Sequence, residues 1–352
     1  MPSMTRRRFV ATAAFGAVGL ATGIGGWRAG QPGGGRLVIV GGGPAGVSAA
    51  LAARSVDPRA DILLLERDPT RLTRPEGPAP RFQPPAVANA FARLRHAGVQ
   101  VALDEIDAVD WTNRRLTGFS GRRFAFDRIV LAPGVAPRAE EIDGLDTVAR
   151  HHWPAAWGNA REARRLQAQL AALPDGGHVV IRLPDGPISH PVGPYHRVVE
   201  IAGFLARGKA GAHLSVLDAA ADSEARRAFA AHVRSAPASD PIHGVDWRFG
   251  AGEGRVLAID SKRGVLTTPA GSLRADVVNF IVAQRAGEIA RRAGLVDVSG
   301  WCPCGPDGRS NIVPDAVVVG DAAASARRTA SAARAAGTRA ALSLTGAVVS
   351  PT

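Results

Sequence analysis

The sequence predicts an α/β protein built from two Rossmann-like units in tandem, and three observations carry that prediction. The apolar run Leu37-Val38-Ile39-Val40 breaks directly into Gly41-Gly42-Gly43-Pro44-Ala45-Gly46, the pattern of a buried parallel strand that turns sharply into a helix. A second strand, Ile62 to Leu65, closes on Glu66, so that strand, turn, helix and strand fill the roughly 30 residues a right-handed crossover needs. The same alternation returns in mid-chain, with strand 178–182, helix 198–206 and strand 214–217.

In chain order, residues 49–54 continue the first helix, and residues 70–85, crowded with Pro, Arg and Gly, are read as a long loop. A helix over 86–96 and strands over 99–102 and 126–131 complete the first unit, the last strand ending in Ala132-Pro133-Gly134. The second unit begins after a helix over 161–173. After further strands the chain returns through 276–282 to strand 316–319 and Gly320-Asp321, and ends in helix 331–344. The domain reading is therefore 1–35 as signal and linker, 36–150 and 276–352 as one nucleotide-binding domain, and 151–275 as a second domain inserted in it.

With 352 residues the chain can bury a large core without a disulfide framework. Its two cysteines, Cys302 and Cys304, lie too close together for a scaffold, and no other ligand pair completes a metal site. Thr5-Arg6-Arg7-Arg8-Phe9-Val10 followed by an uncharged stretch to Trp27 has the layout of a twin-arginine export signal, which predicts a periplasmic protein. A membrane anchor is the alternative, but the stretch is short and glycine-rich for a span of about 20 strongly apolar residues. The net charge of +12 comes without an aromatic-interleaved basic patch, so nucleic acid is not an expected partner and an acidic protein is.

The segment 41–46 satisfies G-x-G-x-x-G between a strand and a helix, and Glu66 lies 20 residues past Gly46. Gly41 permits the tight turn, Gly43 lets backbone approach a pyrophosphate, and Gly46 lets helix and strand pack. Pro44 and Ala45 lie between these glycines, and the N-terminus of the helix that follows favours phosphate. Glu66, with Arg67 beside it, is placed to hold ribose hydroxyls. This fingerprint alone separates FAD from NAD in neither direction. The late anchor does: Gly320-Asp321 sets a carboxylate past a buried strand, where it suits a ribityl hydroxyl. Ala132 and Gly134 are the third feature of glutathione-reductase-type flavin disulfide reductases, so FAD is the predicted cofactor. At the corresponding turn of the second unit, Arg182-Leu183-Pro184-Asp185-Gly186-Pro187, prolines remove amide donors, and NAD(P)H is not expected.

The segments Ser189-His190-Pro191-Val192-Gly193-Pro194-Tyr195, Gln284-Arg285-Ala286-Gly287, Gly300-Trp301-Cys302-Pro303 and Gly320-Asp321-Ala322 resemble the flavoprotein subunit of flavocytochrome c sulfide dehydrogenase. The resemblance implies a periplasmic FAD enzyme that takes electrons from sulfide and passes them to a c-type cytochrome subunit. It also implies a redox cysteine at Cys302. The family's second redox cysteine is His190 here, which makes His190 the candidate base and Cys304 an additional thiol able to close a small, strained ring with Cys302. The family's flavin-tethering cysteine falls near Arg74, so the resemblance implies noncovalent FAD, and its lysine near the late anchor appears as Arg328. Only 31 residues follow Asp321, so the family's C-terminal interface domain is expected to be largely missing. Two other readings stay open: a sulfide:quinone oxidoreductase-like enzyme, and a catalytically silent flavin-binding protein of a sulfur-oxidation complex.

Overall fold

The computed structural model describes residues 35–73, 89–157, 160–220 and 223–345. The segment read as an export signal, and Arg74, lie outside the described residues. The first unit runs β1 (Leu37–Val40), α1 (Pro44–Val56), β2 (Ile62–Glu66), α2 (Pro69–Thr73), α3 (Ala90–His96) and β3 (Gln100–Leu103). An antiparallel meander follows, β4 (Ile106–Asp110), β5 (Arg115–Gly118) and β6 (Arg123–Ala125), then β7 (Arg128–Leu131) and β8 (Val135–Pro137).

Helices α4 (Thr147–His152) and α5 (Ala160–Ala172) lead to the second unit. It comprises β9 (His178–Leu183), α6 (Gly193–Gly208), β10 (His213–Asp218), α7 (Glu224–Ser235), β11 (Asp246–Phe249) and the short α8 (Gly250–Glu253). A second meander, β12 (Ala258–Asp260), β13 (Val265–Thr268) and β14 (Gly271–Arg274), precedes β15 (Val277–Phe280) and β16 (Gln284–Ala286). The chain finishes with α9 (Glu288–Arg292), β17 (Ala316–Val318) and α10 (Ala330–Thr345).

A five-stranded sheet has the order β17-β7-β1-β2-β3, and a four-stranded sheet the order β11-β10-β9-β15, each wholly parallel. Alternation along β1 divides the first core. Leu37 and Ile39 face α1, α3 and α10, while Val38 and Val40 face the first meander together with Leu131, Trp301 and Cys302. A two-stranded ribbon of β8 and β16 carries the chain between the two sheets.

Four sequence expectations change here. The long loop expected from residue 70 begins as α2, and the rest of it, 74–88, is outside the described residues. Helices α1 and α6 start at Pro44 and Gly193 rather than at 49 and 198, because a proline in the first turn loses no hydrogen bond and already holds helical φ. Strand β15 pairs with β9, so the return to the first domain comes after Phe280 and not at 276. The strand expected from 126 begins at Arg128, since the Asp127 and Arg128 amides both turn to the Arg36 carbonyl. No helix among the described residues is long and apolar enough to cross a membrane.

Candidate functional site

The turn after β1 is shaped by what a side chain would strike. At Gly41, with φ +107°, a Cβ would lie 2.3 Å from the Ala132 carbonyl oxygen, and at Gly46 it would lie 1.9 Å from that of Gly41. Gly43 is the extended N-cap of α1 and no side chain caps it. The first-turn amides of that helix therefore have no intrahelical acceptor and face outward with the positive end of the dipole. These bare amides and the missing Cβ atoms fit a pyrophosphate that must approach the backbone closely.

Glu66 ends β2 with 5% exposure. Its Oε2 accepts from the Gly42 amide at 2.5 Å and its Oε1 from the Asp68 amide at 2.8 Å. The carboxylate thus fixes the turn itself, and each oxygen keeps a second lone pair for a ribose hydroxyl. Arg67 instead reaches Glu105 at 3.2 Å on the surface, a pair of small energetic weight.

The late anchor arrives beside the early one. Gly320, at φ +77°, leaves only 3.0 Å between a Cβ and that of Ala45, and a Cβ on Gly337 of α10 would lie 2.0 Å from the Ala45 carbonyl oxygen. The N-terminus of α1, Asp321 and α10 are thereby held against one another. Gly134, at φ +63°, accepts from the Gly287 amide, which seats the ribbon of β8 and β16 next to this junction.

A loop of the second domain closes the same end. Ser189 Oγ donates to Asp321 Oδ2 at 2.5 Å, and the Ser189 amide donates to Gln284 Oε1 at 2.6 Å. Trp157 Nε1 donates to the Ser189 carbonyl at 3.0 Å. The His190 amide donates to the Arg328 carbonyl at 2.7 Å, and both residues hold positive φ, 56° and 52°. Two non-glycine residues in that region, meeting across the interface, are the kind of over-determined backbone that gathers at functional sites. Burial first, then the neighbouring His196, holds the His190 imidazole below its ordinary pKa, against the opposing pull of Asp321. His190 is thus a neutral base at pH 7.

The thiols are less favourable to chemistry. Cys302 is fully buried within the apolar cluster that backs the five-stranded sheet, and its backbone bridges Ala322 and Ala324. Burial pushes its thiol up to about 12 and that of the half-buried Cys304 up to about 11. Both cysteines are free, and Cys304 Sγ donates to the Cys302 carbonyl at 3.3 Å. No hydrogen bond joins His190 to either sulfur among the described residues. Alkylation of the native protein at pH 8 should accordingly be slow, since only about one part in a thousand of a thiol with pKa 11 is thiolate there. The rate should rise about tenfold per pH unit, with Cys304 labelled before Cys302. Rapid labelling of Cys302 at neutral pH, read by peptide mass, would contradict this environment.

Sequence reasoning brought forward Asp321, His190 and the glycine turn, but missed Ser189 and Gln284 as the residues that join the two domains at this point. A glutamine directly after the apolar run Ile281-Val282-Ala283 was the available signal.

Comparison with known proteins places these features. A family model described as pyridine nucleotide-disulphide oxidoreductase matches residues 35–181, and one described as the central region of the sulfide dehydrogenase (flavocytochrome c) flavoprotein chain matches 163–282. The ferredoxin–NAD(+) reductase component of the biphenyl dioxygenase system of Paraburkholderia xenovorans (strain LB400) is 28% identical over 305 residues, which are 82% of this chain and 67% of that protein. Among solved structures, the covalent putidaredoxin reductase–putidaredoxin complex aligns with TM-score 0.66 at 21% identity, over 90% of this chain and 77% of that one. The sulfide:quinone oxidoreductase of Aquifex aeolicus aligns with TM-score 0.63 at 16% identity, over 88% and 76%. Together the two family models run from residue 35 to residue 282, and with the shared fold, that of FAD/NAD(P)-binding disulphide oxidoreductases, they point to FAD as the cofactor.

Proposed function

We propose that this protein is an exported FAD-dependent oxidoreductase of sulfur metabolism, taking electrons from sulfide or a related reduced sulfur compound and passing them to a c-type cytochrome. The observation that carries the proposal is the loop at 189–195: it lies within the region matched to the sulfide dehydrogenase central model and seats Ser189 on Asp321 and His190 on Arg328. FAD, when bound, supplies the two-electron to one-electron exchange such a path requires. The chain's own groups would bind its phosphates at the α1 N-terminus and orient its ribityl end through Asp321, and His190 offers a neutral imidazole able to take the proton that hydrogen sulfide loses on becoming hydrosulfide.

The same reading leaves NAD(P)H aside. Asp218, at the end of β10 where a nucleotide ribose would be held, is fully buried and accepts from the Tyr195 hydroxyl at 3.2 Å. Tyr195 in turn stacks on Phe229 at 5.1 Å and on Trp247 at 6.5 Å. That aromatic layer fills the position from inside the domain, so NADH added anaerobically should leave the oxidised flavin spectrum unchanged.

Anaerobic titration with sulfide is the direct test: bleaching of the oxidised flavin band is expected, and a spectrum unmoved at high sulfide refutes the enzymatic proposal. One observation favours a second reading, a silent flavin-binding subunit of a sulfur-oxidising complex. Both thiols are held far above neutrality by burial. That reading requires Cys302→Ser to leave every sulfide response as it was, whereas a redox role for Cys302 requires a loss of about tenfold or more in the bleaching rate.

A further inference from the structure

Between α10, the loop carrying Cys304 and the Gly320-Asp321 corner lies a cavity of about 480 Å³ whose lining includes Cys304, Asp321, Arg327, Arg328 and Arg339. The glycine turn at 41–46 and Glu66 take no part in its walls. The lining carries three arginines and one acidic residue, Asp321, whose carboxylate accepts from Ser189. Residues 322–352 contain four arginines and no aspartate or glutamate, and Asp307, in the loop on the opposite wall, is paired with Arg309. Arg327 and Arg339 are exposed and form no ion pair among the described residues. Arg328 is set differently: its guanidinium lies 3.8 Å from the centroid of the Trp301 ring, its Nη1 donates to the Ala326 carbonyl at 3.1 Å, and its buried Nε has no partner. Stacking holds the planar fork in place before any ligand arrives, which lowers the ordering cost of binding an anion.

We infer that this arginine-lined cavity is a second ligand site, adjoining the ribityl end of the FAD site at Asp321 but apart from the pyrophosphate turn, that takes a small anionic sulfur compound carrying at least two negative charges. The geometry argues the charge and the size: clustered planar donors match oxyanions, and the volume falls in the range of ligand pockets and exceeds that of a single ion. The sulfur character rests on the function proposed above, and Cys304, which lines the same space, is the soft residue such a ligand would meet. Two sources share this chemistry, an inorganic sulfur oxyanion and a carboxylated low-molecular-weight disulfide.

The test is calorimetric titration of the oxidised, FAD-loaded protein at low salt with thiosulfate, glutathione disulfide and, as the sulfur-free control, sulfate. Binding of thiosulfate or glutathione disulfide is expected, each at least about tenfold tighter than sulfate, and whichever binds more tightly identifies the source. Arg327→Gln and Arg339→Gln should each weaken it by roughly tenfold, as loss of a charge-assisted bond does, with melting temperature and FAD content unchanged. The inference is overturned if neither sulfur compound binds, if sulfate binds equally well, or if the double variant binds as the parent does. It is also overturned if the double variant sheds FAD, which would make the cavity part of the cofactor site. Because the heats are read on the resting protein, an absent sulfide reaction leaves this result intact, and the two proposals fail separately.

Discussion

Replacing Gly46 with alanine should cost the protein its FAD. The added Cβ would lie 1.9 Å from the Gly41 carbonyl oxygen, and both partners are backbone, so no side chain can swing aside. Relief requires moving either the turn or the start of α1, and these are the two parts that present amides to the pyrophosphate. Overpacking of this kind costs about 1–3 kcal/mol and sometimes more. Concentrated on the binding geometry, that corresponds to a rise in the FAD dissociation constant of roughly a hundredfold. Gly121→Ala is the matched control. Its φ of +80° is also positive, but nothing lies within 4 Å of the new atom, so only the strain of about 1–2 kcal/mol for a left-handed residue is expected. Fluorescence titration of apoprotein with FAD separates the two: weakened binding in Gly46→Ala alone supports the cradle, and equal affinities refute it.

The largest loss of stability is expected from Glu140→Ala. Arg182, at the end of β9, donates through Nη1 and Nη2 to the two oxygens of Glu140 at 3.0 and 2.5 Å, and the side chains are 4% and 14% exposed. The same guanidinium donates to the Ile281 carbonyl at 2.9 Å and lies 4.9 Å over the Phe280 ring, while Glu140 Oε1 also accepts from the Ala283 amide at 2.6 Å. Truncating the acid strands a buried cation and an amide at the crossing between the two sheets, a change worth about 3–5 kcal/mol. Urea denaturation at unchanged slope should show it as a fall in midpoint. The double variant Arg182→Met with Glu140→Leu should recover at least half of the loss, since burying two charges is itself costly. A double variant as unstable as Glu140→Ala would mean that the pair is not what holds the crossing.

Neither residue of that pair was readable as a partner of the other. Arg182 sits in a segment singled out for its prolines, and Glu140 in a stretch with no periodicity, 42 positions away. Burial of a charge is a property of the packed interface and leaves no local trace in composition. Cys302 presents the same difficulty. Its position after Trp301 was plain, but the depth of its thiol depends on which face of the loop lies against Val38, Val40 and Leu131. The glycine turn behaved differently. Its positive φ and its close backbone approach are local requirements, imposed between a strand and a helix, and glycine meets them because it has no Cβ to obstruct either.

By itself, then, the amino-acid order determined the α/β class, the first crossover and the phosphate-binding turn, because strand burial, helix initiation and positive φ are imposed on residues close together in the chain. Tertiary structure alone decided that Ser189 and Gln284 would meet at Asp321, that Arg328 would stack on Trp301 beside a cavity of arginines, and that Cys302 would be sealed. Those outcomes depend on contacts between segments far apart in the chain or on the packing around a single loop, and only the folded core selects among the many pairings the sequence would allow.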